Sequence, residues 1–142
     1  MSSFDSTKTE LSKLLNQIIE GKIQLPDFQR GWVWDDDHIR SLLLSIARSF
    51  PIGAIMLLET GGEARFQERG VEGVALPKGA KAERLILDGQ QRLTSLTQVL
   101  KLTTPVMTQD SNKREIKRHY YFDIEKALSG PNTLSIFASS ME

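Results

Sequence analysis

One stretch constrains this chain more than any other: Leu85-Ile86-Leu87-Asp88-Gly89-Gln90-Gln91-Arg92, with Leu93, Leu96, Val99 and Leu100 behind it. Three consecutive apolar residues read as a buried strand, and the later ones recur at helical spacing. The chain must therefore turn at Asp88-Gly89 from a strand straight into a helix. Such a turn presents backbone N–H groups and the positive end of a helix dipole, here at Gly89, Gln90 and Gln91. Arg92 adds a cation able to grip phosphate with two prongs. Asp88, at the strand end, is placed to hold a divalent metal on the same phosphates. The arrangement suits an anion, either a nucleotide or a nucleic-acid phosphate. The competing account is purely structural: Asp-Gly is a common turn, and every helix needs a start.

The chain before this stretch supplies its packing partners. Thr7-Lys8-Thr9-Glu10 has capping-box spacing, and Leu11, Leu14, Leu15, Ile18 and Ile19 mark the apolar face of a helix ending at Gly21. In Ile23 to Trp34, Pro26 enforces extended geometry, while Phe28 and Trp32 bracket Gln29 and Arg30. That loop reads either as aromatic packing with Arg30 paired to Asp27 or Asp35, or as a nucleotide-facing loop in which Arg30 is a second phosphate ligand. Asp35, Asp36 and Asp37 open a second helix and complement its dipole, with Ile39, Leu42, Leu43 and Ile46 on the buried face. That role explains the triple aspartate without a metal, and His38 beside it reads as a surface residue. Phe50-Pro51-Ile52-Gly53 stops the helix. Gly53 allows close backbone approach to a neighbour or ligand, and a strand follows over Ile55–Glu59.

Residues 60–84 are glycine-rich and charged, and read as an insertion or hairpin between two adjacent strands. After the central helix, Thr103 to Asn112 reads as a loop. Lys113 to His119 forms a local basic cluster, open to a solvated-face or a nucleic-acid reading. Tyr120–Ile124 is a further strand, and Leu134 to Ala138 has the look of one more. With that strand at its end, the chain reads as the N-terminal fragment of something longer.

Composition limits the functions available. The 142 residues suffice for one domain with a real core. Eighteen basic and eighteen acidic residues leave a formal net charge of zero, so no whole-domain electrostatic grip on nucleic acid is indicated. The absence of cysteine excludes disulfides, thiolate zinc sites and cysteine nucleophiles. No apolar run approaches the roughly 20 residues of a membrane span, and no signal pattern is present, so a cytoplasmic protein with no membrane association is expected. The expected fold is α+β: one domain over residues 1–142, with a small mixed sheet of Ile23–Leu25, Ile55–Glu59, Leu85–Asp88 and Tyr120–Ile124 packed by three main helices.

Three blocks in order, Leu25-Pro26-Asp27-Phe28-Gln29-Arg30 with Val33-Trp34, Phe50-Pro51-Ile52-Gly53, and Asp88-Gly89-Gln90-Gln91-Arg92, resemble the N-terminal domain of GmrSD-type, modification-dependent restriction proteins. The resemblance runs from about Leu11 to Ile124. It implies a fold related to ParB and sulfiredoxin, a place in phage defence, and binding and often hydrolysis of a nucleoside triphosphate at the Asp-Gly-Gln-Gln-Arg motif. It also implies that the whole protein engages DNA, modified DNA included, and that a downstream nuclease domain or partner cuts it. This chain has no His-Asn-His arrangement, and its histidines, His38 and His119, lie in unrelated contexts. The implied site is Asp88, Gly89, Gln90, Gln91 and Arg92, with Gln29 and Arg30 facing it. In that reading Asp88 holds magnesium or orients water, Gln90 or Gln91 positions the water, and Arg92 and Arg30 neutralise developing charge. The rival expectation is a non-catalytic sensor that uses the same anion site on DNA backbone and the nearby aromatics on a modified base.

Overall fold

The computed structural model describes residues 10–29, 34–48, 53–60, 67–122, 125, 128 and 136–140. The fold is α+β. Helix α1 spans Leu11–Ile19, strand β1 Ile23–Pro26, helix α2 Asp36–Ala47 and strand β2 Met56–Glu59. Then come β3 (Glu68–Arg69), β4 (Arg84–Asp88), helix α3 (Gln90–Leu100), β5 (Val106–Gln109), β6 (Glu115–Phe122) and β7 (Ile136–Ser140).

The strands divide into two sheets, a four-stranded sheet in the order β2-β4-β1-β3 and a three-stranded sheet in the order β5-β6-β7. In the first, β4 is interior, parallel to β1 and antiparallel to β2. Its Leu85 and Ile86 are buried, as the unbroken apolar run requires of an interior strand. The short β3, from within residues 60–84, pairs antiparallel with β1 and closes the edge beyond it.

Helix α3 lies at the centre of the packing, since Leu93 to Gln98 are all buried. Two of its three hydroxyls are accommodated by local bonding: Ser95 Oγ donates to Gln91 O at 2.8 Å and Thr97 Oγ1 to Leu93 O at 2.7 Å. Leu15 and Ile18 of α1, Ile39 and Leu43 of α2, Ile23, Leu25 and Ile86 of the sheet, and Leu93 and Leu96 of α3 form one core. Helix α2 begins as its sequence demands. Asp35 is the N-cap and accepts the His38 backbone N–H at 2.9 Å. That bond is the main reason its carboxyl lies below the ordinary range.

Three expectations need correction. Residues Tyr120–Phe122 belong to β6, in the second sheet and not beside β1, β2 and β4; Asp123 and Ile124 lie outside the described residues. The reason is a hairpin hidden in the segment expected to be a loop. Val106–Gln109 pairs antiparallel with Glu115–Arg118, and Asp110 closes the turn by accepting the Asn112 and Arg114 N–H groups at 2.8 and 3.0 Å. Finally, Glu10 is itself the N-cap of α1 and its side chain makes no capping bond, so it is not the third helical residue of a capping box; Thr7 lies outside the described residues.

The second sheet is tied to α2 through polar bonds. Tyr120 Oη donates to Asp36 Oδ1 at 2.7 Å, and Thr108 Oγ1 to Trp34 O at 2.8 Å. Asp36 is buried and forms an ion pair with Arg40, whose Nε lies 3.0 Å from Asp36 Oδ2. Arg118 stands further off, its Nε 3.9 Å from Asp36 Oδ1. Burial first, and the bond to Asp36 second, hold the Tyr120 phenol well above its ordinary pKa.

Candidate functional site

The site is built where β4 passes into α3. Asp88 ends β4 at the surface, paired in register with Met56 across an irregularity in β2. Its Oδ1 turns back to accept the Gly89 N–H at 2.9 Å. Gly89 has a φ of +94°, in the left-handed region that side chains disfavour, and a Cβ there would run into Ile55 Cδ1. Both facts make glycine the residue that lets a buried strand reverse into a helix in one step.

Leu93 N–H closes the first turn of α3 on Gly89 O at 3.0 Å. The N–H groups of Gln90, Gln91 and Arg92 come before that bond, where a helix has no acceptor of its own and its dipole is positive. The Gln90 side chain turns inward and is buried, while Gln91 and Arg92 are half-buried. The Gly89 N–H, expected from the sequence as a phosphate donor, is already engaged by Asp88.

Arg92 is fixed from a different part of the chain. Its Nη2 donates to Ala54 O at 2.8 Å, and a Cβ on Gly53 would fall on the guanidinium. Gly53 has a φ of +97°. The close approach that glycine permits is therefore to Arg92, which the sequence left open between a neighbour and a ligand. On the opposite side, Gln29 Nε2 donates to Leu87 O at 3.1 Å and reaches Ile86 O at 3.4 Å. Gln29 thus bonds the last residues of β4, next to Asp88. Arg30 lies outside the described residues, as do Trp32 and Phe50 to Ile52.

Two supports were not legible in the sequence. Arg69, in the segment to which no role was given, donates from Nη2 to Gln29 O at 2.9 Å and pairs through Nη1 with Glu72 at 3.0 Å. Ile55 fills the space beside Gly89. The only sequence signal for either is their position in or next to a strand. Other candidate clusters serve elsewhere: Asp35 caps α2, Asp36 anchors Tyr120, and His38 sits 2.7 Å from Asp35 at the surface. Among the described residues no group of three or more histidine and carboxylate side chains could hold a metal ion. Asp88 thus belongs to no such group among the described residues, and a metal there would take further ligands from phosphate oxygens and water. A cavity of about 400 Å³ lies at the other end of α3, by Gln98 and Leu102, away from this turn.

A helix N-terminus and an anchored guanidinium at one strand end suit an anionic ligand, and the exposed Asp88 carboxylate beside them would serve it only through a bridging cation. The model of the GmrSD restriction endonuclease N-terminal domain matches residues 11–139, nearly the whole chain. The chain belongs to that family. An uncharacterized protein of Methanocaldococcus jannaschii is 37% identical over 91 residues, covering 61% of this chain and 16% of the relative. The chain therefore corresponds to a small part of that relative's length. In this GmrSD N-terminal domain no described helix is long and apolar enough to cross a membrane.

Proposed function

We propose that this domain binds a nucleoside triphosphate at the β4–α3 turn and hydrolyses it, as the regulatory part of a restriction protein active in phage defence. The observation that carries the reading is the anchoring of Arg92. A guanidinium held by Ala54 O beside the first turn of α3 is a pre-oriented cation next to backbone donors. In this mechanism the N–H groups of Gln90 and Gln91 hold phosphate oxygens and Arg92 neutralises charge that builds on them. Gln91, half-buried at the helix start, orients the attacking water; Gln90, whose side chain is buried, contributes chiefly through its backbone. Gln29 closes the site from the β1 side, and Arg30 adds a second cation. Asp88 fits a magnesium ion of the kind that keeps several waters and takes its remaining ligands from phosphates. Such an ion, when bound, supplies charge neutralisation on the phosphates.

The resemblance carried by Asp88-Gly89-Gln90-Gln91-Arg92 implies kinship with ParB and sulfiredoxin, and in that reading a phosphate site lies at this helix start. For the whole protein we infer engagement of DNA, modified DNA included, with cleavage by a nuclease domain or subunit other than this one. The test is thermal melting of wild type and Arg92→Ala with each triphosphate, with and without magnesium, followed by phosphate release. Ligand at a hundred times its dissociation constant should stabilise by about 2.7 kcal/mol. The expected result is a shift in wild type that a folded Arg92→Ala lacks, and turnover that Asp88→Ala loses. Normal turnover in a folded Asp88→Ala would refute the role given to Asp88. Equal shifts in wild type and Arg92→Ala would refute the site.

A further inference from the structure

The β5-β6-β7 sheet has two unlike faces. Along β6, Ile116, Arg118 and Tyr120 are partly covered, and on β5 Val106 and Thr108 are buried; these residues make the face turned towards α2. The alternate residues Lys117, His119 and Tyr121, with Met107 directly across from Lys117, make the outer face. Tyr121, on the central strand β6, is 45% exposed, and Met107, on the edge strand β5, is 44% exposed. The His119 and Tyr121 rings lie 6.4 Å apart, inclined at 50°.

We propose that this outer face binds single-stranded nucleic acid, with Tyr121 and His119 as surfaces on which unpaired bases stack and Lys117 as a phosphate contact. The chemistry selects the partner. A lysine followed on the same strand face by two rings suits bases joined by phosphates. Between Asp110 and His119 four basic residues face two acidic ones, in a chain whose net charge is zero. Arg114 is exposed but paired with Asp110, and Arg118 lies on the face turned to α2, which leaves Lys113 and Lys117 as exposed cations of the hairpin with no ion pair among the described residues. Glu115, on the outer face at the turn end, repels phosphate there and directs the strand across Lys117 towards Tyr121. A duplex, whose ring faces are hidden in its own stack, gains nothing from Tyr121, and two lysines give it little phosphate grip. The bonds from Tyr120 to Asp36 and from Thr108 to Trp34 O hold the platform against α2, so it is formed before any ligand arrives. The surface is distinct from the β4–α3 turn and independent of the nucleotide reading.

The experiment is fluorescence anisotropy with a labelled single-stranded oligodeoxynucleotide and its duplex, without nucleotide, over a series of salt concentrations. The proteins are wild type, Tyr121→Ala, Tyr121→Phe, Lys117→Glu and, as a control on α1, Lys13→Glu, each checked for an unchanged melting temperature. Single strand should bind more tightly than duplex. Tyr121→Ala should weaken it about 5- to 150-fold, whereas Tyr121→Phe, which keeps the ring, should retain it. Lys117→Glu should reduce the logarithmic salt slope by about 0.7 or more, and Lys13→Glu should leave it unchanged. Absence of binding, tighter binding of duplex, or equal affinity in wild type and Tyr121→Ala would overturn the proposal. Binding lost in Arg92→Ala but kept in Tyr121→Ala would instead assign the contact to the β4–α3 turn.

Discussion

Replacing Gly53 with alanine separates a cation held ready for a ligand from one that is merely part of the surface. Gly53 has a φ of +97°, and an L-residue held in the left-handed region costs about 1–2 kcal/mol. The added Cβ would take the place of Arg92 Nη1. That atom ends a flexible side chain, so yielding adds little to the folding cost, but the guanidinium must leave Ala54 O. The melting temperature should therefore fall by roughly 3–8 °C. The affinity for triphosphate should fall by the worth of a charged hydrogen bond, about 1.5–3 kcal/mol or roughly 10- to 150-fold in Kd. Calorimetric titration of wild type, Gly53→Ala, Arg92→Ala and the double variant makes a complete cycle. If Gly53 acts through Arg92, the double variant binds no more weakly than Arg92→Ala alone. Additive losses, or wild-type affinity in Gly53→Ala beside a large loss in Arg92→Ala, would refute this reasoning.

Three further outcomes are expected from denaturation measurements. Tyr120→Phe removes the bond to Asp36 and should cost roughly 1–3 kcal/mol near neutral pH. Because the folded phenol's pKa is raised above its ordinary 10.0, the native state favours the protonated form. Its contribution is complete below that value and is lost as pH rises above it, so the alkaline decline in stability should be shallower in Tyr120→Phe; parallel declines would contradict this. Asp35→Ala removes the α2 N-cap and should cost about 1 kcal/mol. The Asp35 pKa is lowered from 3.8, so its contribution is present above that value and is lost as pH falls below it. A deficit in Asp35→Ala that persisted in strong acid would argue against the cap. Thr94 Oγ1 is buried and finds no hydrogen-bond partner among the described residues, so Thr94→Val should stabilise by about 1 kcal/mol; a measured loss would mean that the hydroxyl is bonded.

What could be read from the sequence was whatever depends on neighbours along the chain. The β4–α3 turn is of this kind: an apolar triplet, a glycine and a helical repeat specify their own geometry, and Asp35 caps α2 for the same local reason. The pairing of β2 with β4 was also legible, because two apolar strands flank one segment of turn residues. The contacts that aim the site were not. Ala54 O receives Arg92 from 38 residues away and Arg69 reaches Gln29 O over a separation of 40, and neither bond leaves a periodic trace in composition.

The second sheet shows a different limit. Val106-Met107-Thr108-Gln109 runs two apolar residues into two polar ones, so the alternation seen in its burial leaves no period-2 signal in the sequence; glycine is absent from the turn after it, and four residues are too few to stand apart from a loop. Asp110 makes that turn with its side chain, and Lys113, at a φ of +61°, takes the left-handed position that glycine fills elsewhere. Once Val106–Gln109 is paired, β6 has a partner on that side and no longer needs a place beside β4. One missed turn therefore moved a whole strand between sheets. It also changed the meaning of the basic cluster. As a run of charge in sequence it is ambiguous, but alternation along β6 sends Arg118 and Tyr120 towards Asp36 and leaves Lys117, His119 and Tyr121 together on the outside. The pairing register, not the composition, is what separates residues that hold the sheet in place from those available to a partner.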